Sequence, residues 1–498
     1  MMLICRWRRW ARGKRGSSAV MLTCIFVSIL IAAGSVCEAA SRRASVSAAE
    51  CTFDVAGRSV LAGYDRSLKE RYALFAYEYD ESDIEEMLRN LSKETLASFP
   101  LTECRVTEVS VEKSGYCLKD TEVFQKQIEE IMKYKIVADA ISNGLSQFQS
   151  ASDAISFLGD QEKRKKALED AKEEAKRLQQ EQEESDDEGE SAVDFGEIDG
   201  VHNMLKDFKD SLDDASDGTE SGEASEKPAA VLRNGQVKDV LPSVSAGCKE
   251  NTAFSGIVSS VGKFSEFTDF ENIKSEIYLN EYILSFFSAH TDEYHQDSFF
   301  HNEAEYILYG SFSDEENYKK AKRSVYTIRT ALNIAYLYSS PQKMKQTLAL
   351  AESLTPGPFV PLTQLLIITA WSALESFNDM KNLEAGNRIS LIKSEETWKT
   401  DLNSVASGTF EGGMIENDSP AGFHYKSYLR LLFLTEKTET KLMRIMDLIQ
   451  INMKGTDRED FVIGNLFCGF VLKAELEKKS IYAGIGSGRT SVRMTHTY

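Results

Sequence analysis

Three histidines and two glutamates crowd one stretch of the chain: His290, His295, His301, Glu303 and Glu305. Imidazole nitrogens and carboxylate oxygens are what zinc binds, with four ligands converging at about 2 Å. A zinc protease sets two histidines four apart on one helix face. Here the histidine spacings are five and six, which no helix places on one face. The cluster is therefore expected to be ordinary surface histidines rather than a metal centre. Asp292, Glu293, Asp314, Glu315 and Glu316 add carboxylates. A pair with separated proton affinities would do acid–base work, but the sequence sets no such pair against a substrate. The run DDASDGTESGEA from Asp213 resembles a calcium loop, yet Ala215 and Ala224 stand at its third and twelfth positions and cannot ligate. No G-x-S-x-G, phosphate loop or dinucleotide fingerprint is present. No catalytic residue, metal or cofactor is expected, and an enzyme is the least favoured reading.

Cysteine chemistry is equally sparse. The chain has eight cysteines and no C-x-x-C spacing, against zinc or thioredoxin-like use. The stretch CRVTEVSVEKSGYC reads either as a strand pair closed by a Cys104–Cys117 disulfide or as two small buried thiols.

The element that would position everything else lies at the N-terminus. Residues 19–37, AVMLTCIFVSILIAAGSVC, contain no charge and follow Arg6, Arg8, Arg9, Arg12, Lys14 and Arg15. About 20 apolar residues let a helix cross a bilayer with its backbone satisfied internally. The basic cluster would stay in the cytoplasm and the bulk of the chain outside. A cleaved signal peptide shares this pattern, and Cys37-Glu38-Ala39 is a tolerable cleavage context. A lipoprotein box would need an aliphatic residue where Gly34 stands. The chain runs on from Cys37 without a proline, with Ala40, Ala44, Ser47, Cys51 and Val55 at spacings of three and four. That favours a retained anchor continuing as a stalk helix. The small residues of that face would allow close helix–helix approach.

The basic start, RGSSAVML from Arg15 to Leu22, and the apolar helix passing into an amphipathic one resemble the N-terminus of tight-adherence (Tad) pseudopilins. Those proteins carry a glutamate about five residues after the glycine; Met21 stands there after Gly16. Three later stretches, RYALFAYEYDESDIEEML from Arg71, AEYILYGSFSDEEN from Ala304 and YKSYLRLLFLTEKTETKLMRIMDLIQINMK from Tyr425, resemble a bacterial family of unknown function. Its members resemble single-anchor surface proteins encoded beside tight-adherence or type II-like secretion genes. The resemblance brings no catalytic residues.

Charge confines the disorder-prone part. Between Glu169 and Glu226 stand 22 acidic and 5 basic residues, most of the chain's net charge of −20. Such a segment is a solvated linker, and an acidic chain lacks the basic face nucleic acid requires. Elsewhere helical periodicity dominates. It marks Arg71 to Phe99, stopped by Pro100, then Thr121 to Ser142, a capped helix opening at Ser313, another at Pro341, and Glu439 to Met453. LTQLLIITAWSAL, Leu362 to Leu374, is 13 residues with Gln364 and Thr369 inside, too short for a span and expected as a buried helix ending near Gly386. Leu466, Cys468, Phe470, Leu472, Ala474 and Leu476 alternate with Phe467, Gly469, Val471, Lys473 and Glu475, a strand half-buried at its end that could pair with Arg105 to Glu112.

The expected fold is α+β and helix-rich: a transmembrane helix extending into a stalk, an ectodomain with a small antiparallel sheet, and a disordered acidic insertion. In order, residues 1–18 form a basic cytoplasmic tail, 19–37 the transmembrane helix and 38–64 the stalk. Residues 65–160 begin the ectodomain, 161–236 are the insertion, and 237–498 are the helix-rich remainder with its C-terminal strand. The expected role is a structural or assembly component of a pilus-like or secretion apparatus, with the membrane and other assembly proteins as partners. The alternative is a membrane-tethered module that binds an extracellular ligand or the cell envelope.

Overall fold

The computed structural model describes residues 2–97, 104–135, 241, 249, 270–293, 297–355, 357, 359–406, 414–456, 458–480 and 488–498. The acidic insertion, the run from Asp213 and His295 lie outside them. The fold is helix-rich α+β with one small antiparallel sheet. It divides into two compact units, Met1–Val123 with Gly464–Tyr498, and Phe124–Ile463.

The first unit opens with α1 (Met2–Leu61), 60 residues without a break. Its hydroxyl side chains bond back to the helix's own carbonyls: Thr23 to Ala19 and Ser28 to Cys24, both at 2.8 Å, and Ser35 to Ile31 at 2.9 Å. No polar group of that stretch then asks for water. Asp65 starts α2 (Arg66–Tyr72) by accepting from Leu68 N–H at 2.9 Å, and Ala73 closes it with φ 57°. The helix pattern expected from Arg71 therefore begins only at α3 (Glu81–Ala97). The aromatic run between is extended. Tyr77 and Phe467 exchange both backbone hydrogen bonds, at 2.9 and 3.0 Å, and the Tyr77 hydroxyl donates to Gly469 O at 2.9 Å. These long-range partners override the local helical preference.

The sheet is ordered β1-β2-β3 and antiparallel throughout: β1 (Cys104–Glu112), β2 (Gly469–Lys478) and β3 (Gly488–Thr497). The pairing of the Arg105 stretch with the period-two stretch near the C-terminus is present, and sequence ends 360 residues apart share one core. Phe470, Leu472, Ala474 and Leu476 of β2 point inward with Val109, Val111 and Val492. Ala49, Phe53, Ala56 and Val60 of α1, and Ile84, Leu88 and Leu96 of α3, cover that face. The outer face carries Lys473 and Glu475, both exposed.

The second unit is helical. From Phe124 it includes most of α4 (Thr121–Lys135), then α5 (Phe270–Phe286), α6 (Glu303–Tyr309), α7 (Asp314–Ser339), α8 (Pro341–Leu354), α9 (Val360–Glu384), α10 (Leu402–Ala406), α11 (Tyr425–Phe433) and α12 (Thr438–Lys454). Ser313 caps α7 by accepting from Glu316 N–H at 3.3 Å. Glu316 does not return to the Ser313 N–H as a full capping box would. It takes the Ser311 hydroxyl, which in turn accepts from Ser313 N–H at 3.2 Å. Ser340 and Pro341 open α8 as expected. The apolar stretch from Leu362 lies in α9, against α7 and α8, with Ile367, Ile368, Trp371 and Leu374 buried. It is a core helix even though its length and composition would suit a membrane. Gly386, with φ 85°, ends it.

Candidate functional site

The first helix has two faces with different fates. Ser45, Ala49, Phe53, Ala56 and Val60 are buried, and these face the sheet. Gly57 lets the helix approach β3 so closely that an added Cβ would lie 2.5 Å from the His496 ring. The residues expected to form a packing face, Ala40, Ala44, Ser47 and Cys51, are all exposed, as is Val55. They lie on the side turned away from the core and make a solvent-facing stripe. N-terminal to them, Val20, Leu22, Phe26, Leu30 and Val36 are more than half exposed. From Ser18 onward the helix is strongly apolar and almost wholly uncovered, a candidate membrane span.

Of the two readings of Cys104 and Cys117, the disulfide is not formed; both thiols are free and half-buried. CRVTEVSVE is one strand rather than a hairpin, so Cys104 begins β1 and Cys117 lies past its far end. Nine extended residues hold them roughly 30 Å apart, against about 6 Å between Cα atoms in a disulfide. Cys104 lies opposite Lys478 in the sheet. The Cys117 thiol donates to Gly464 O at 3.4 Å.

His290, His301, Glu303 and Glu305 do come together, in the second unit, the two histidines half-buried and the two glutamates buried. Glu303 and Glu305 open α6 and are buried. Glu303 accepts from the Ser288 N–H at 3.0 Å, from the Ser288 hydroxyl at 3.2 Å and from Asn452 Nδ2 at 2.6 Å. Glu305 Oε1 accepts from His290 N–H at 3.1 Å and from the Tyr425 hydroxyl at 2.9 Å. Its Oε2 is buried without a hydrogen bond. Burial raises the Glu305 carboxyl to about 7. The His290 ring stacks on Tyr318 at 3.5 Å and its Nδ1 meets Asn302 Oδ1 at 3.0 Å; burial lowers its proton affinity. His301 Nε2 lies 3.3 Å from the His290 carbonyl. Asn302 N–H and Nδ2 both donate to Asp314, at 2.9 Å, and burial raises that carboxyl.

Each of these groups is engaged with backbone or amide. Three carboxylates hold the chain segments on either side of His295 to the starts of α6 and α7. Among the described residues no set of three histidine, cysteine or acidic side chains is placed to hold a metal ion. The arrangement is a clasp of buried carboxylates, of which Glu305 is raised to about 7 by burial.

A second polar cluster was not legible as one. Glu375 and Asp379 on α9, Arg329 and Asn333 on α7, and Lys393 are fully or almost fully buried. Lys393 Nζ lies 2.5 Å from Glu375 and 2.7 Å from Asp379. Arg329 pairs with Asp379 at 2.8 Å and donates to the Ser390 and Leu391 carbonyls at 3.0 and 2.9 Å. Glu375 accepts from Thr400 N–H at 2.9 Å. Burial opposes ionisation of Asp379, but Arg329 and Lys393 outweigh it and hold the carboxyl below its ordinary value. Two cations and two anions thus fasten the segment from Ser390 to Thr400 onto α7 and α9. Its signal was present in the spacing: Glu375 and Asp379 are four apart, as are Arg329 and Asn333, so each pair shares one helix face.

No curated protein and no solved structure matches the chain. A family model does, over residues 218–478. The match includes the stretches from Ala304 and from Tyr425, both clusters of the second unit, and β2. It does not extend to α1, to the stretch from Arg71 or to β3. Covering more than half of the chain, it makes this protein a member of the family of unknown function DUF5702.

Proposed function

We propose that the protein is anchored in a membrane by the first part of α1, with the bulk of the chain after that anchor outside the cytoplasm, and that it serves as a structural or assembly component of a pilus-like or type II-like secretion apparatus. One observation carries the reading. A single unbroken helix is apolar and exposed from Ala19 to Val36, and from Ser45 to Val60 it has one face in a core and the opposite face bare. The apolar stretch suits lipid, which needs about 20 residues of it. The bare face, Ala40, Ala44, Ser47 and Cys51, suits a neighbouring helix held parallel by the same membrane. The resemblance of residues 15–22 to tight-adherence pseudopilins agrees with this use.

The test combines fractionation and protease shaving of intact cells with mass spectrometry of the N-terminus. The reading expects a membrane-bound chain whose bulk is cut from outside and whose first helix is retained. A freely soluble mature form, or a chain protected from external protease, would overturn it. The assembly role is tested separately by co-purification of the full-length A40L/A44L variant. Loss of associated proteins, with the variant still folded and in the membrane, is expected; an unchanged set of associated proteins removes the role.

A further inference from the structure

The two edges of the sheet are treated differently. Along β1, Val111 N–H donates to Glu85 at 3.0 Å and Lys113 N–H to Glu81 at 3.2 Å, so α3 closes that edge with side-chain acceptors. Along β3, Tyr498 N–H donates to Cys468 O. Bonded residues alternate along an antiparallel ladder. Val492, Met494 and His496 therefore turn their backbone groups to β2, while Arg489, Ser491, Arg493 and Thr495 turn theirs away. Among the described residues no backbone group bonds them there. The same four residues have exposed side chains.

An open edge is a template for another strand, and charge selects which strand. β3 carries Arg489 and Arg493 and no acidic residue. In the sheet Arg489 stands opposite Glu477, and Arg493 opposite Lys473, which already pairs with Glu112 at 3.3 Å. A second copy of β3 would bring like charges together, which disfavours self-pairing. We propose that the open edge of β3 is a docking site for an extended acidic segment of a partner protein. The segment adds as a fourth strand, with carboxylates four residues apart facing Arg489 and Arg493. Main-chain bonds supply the affinity and the arginines the specificity. This inference rests on the sheet alone and is independent of the membrane reading.

The test uses the detergent-solubilised full-length chain and a nine-residue fluorescent peptide that alternates valine with glutamate or threonine, its glutamates four apart. A twin carries lysine for glutamate. Two further acidic versions are N-methylated at every second residue, one in each phase. Fluorescence anisotropy should show saturable binding of the acidic peptide, at least tenfold tighter than its lysine twin. One methylation phase should abolish binding and the other spare it. The R489E/R493E variant should reverse the charge preference; both side chains are exposed, and a thermal melt checks that it folds. Hydrogen exchange at Arg489, Ser491, Arg493 and Thr495 should be fast in the free chain and at least tenfold slower with peptide. No binding, equal binding of the two charges, equal effects of the two methylation phases, or protection of those amides already present in the free chain each overturns the proposal.

Discussion

Lys393 and Glu305 show how a buried charge and a buried proton have different consequences. Lys393 sits between Glu375 and Asp379 with no exposed surface on any of the three side chains. Replacing it with methionine leaves Asp379 with Arg329 and leaves Glu375 with the Lys399 and Thr400 N–H groups and no cation. Removing one partner of a buried pair costs about 3–5 kcal/mol. K393M is expected to lose stability of that order in urea unfolding followed by the fluorescence of Trp371 and Trp398, whose rings lie 5.2 Å apart. An unchanged midpoint would mean that the network is not a fastening. Glu305 behaves differently because its carboxyl is raised from 4.5 to about 7. The folded state then binds that proton more tightly than the unfolded chain. The resulting stability is complete below pH 4.5 and is lost as the pH rises through 7, on the order of 3 kcal/mol in all. Glutamine keeps the acceptor for Tyr425 and does not titrate. Between pH 5 and 8 the native chain should lose on the order of 3 kcal/mol relative to E305Q, read as diverging melting temperatures. His290 acts in the opposite direction: its affinity is lowered by burial, so its contribution is lost as the pH falls below about 6.5.

At the scale of the element, α1 offers a direct comparison of two faces on one helix. Phe53 is fully buried against the sheet. F53A should cost about 3–5 kcal/mol by emptying that core. Cys51, exposed two residues earlier, should tolerate alanine within about 0.5 kcal/mol. Thermal melts of the two variants check the pair, and equal losses would mean the helix does not lie as described. The same helix shows why part of the structure could be read in advance and part could not. Ala40, Ala44, Ser47 and Cys51 repeat at helical spacing, but so do Ala49, Phe53, Ala56 and Val60. Periodicity locates stripes without saying which one meets the core; the larger Phe53 and Val60 were the better guide. The alternation of Phe470, Leu472, Ala474 and Leu476 was unambiguous because period two admits only one inward face. Pro341 and Gly386 were equally legible, since each acts through its own backbone. The extended run around Tyr77 was not, because its shape depends on Phe467, almost 400 positions away. The clasp at Glu303 and Glu305 was hidden for a related reason. Its partners are backbone N–H groups, which every residue possesses, together with Asn452 and Tyr425 more than 100 positions away, and no spacing reveals either.

Over the whole molecule, the sheet requires both ends of the chain. β1 reaches the sheet from the N-terminal side, while β2 and β3 come from the last 35 residues, Gly464–Tyr498. The intervening unit, Phe124–Ile463, is compact by itself. Its core draws on α7, α9, α11 and α12, with Ile328, Trp371, Tyr428 and Ile445 all buried. The first unit cannot be completed without β2. Phe470, Leu472, Ala474 and Leu476 are each 2 % exposed or less and lie against Phe53, Ile84 and Val111. At about 1.5–3 kcal/mol for each large apolar side chain, their loss removes roughly 5 kcal/mol or more of burial. That is comparable to the whole stability of an ordinary domain. A chain ending after Ile463 is therefore expected to keep a cooperative helical melt from its second unit. In the same molecule, residues 65–123 should become sensitive to limited proteolysis, with cuts around Tyr77 and Val109, while Phe124–Ile463 resists. Equal resistance of both parts would show that β1 and α3 are held without β2, and that the two ends of the chain do not depend on each other. Cuts throughout the second unit would show instead that its helices need the sheet to fold.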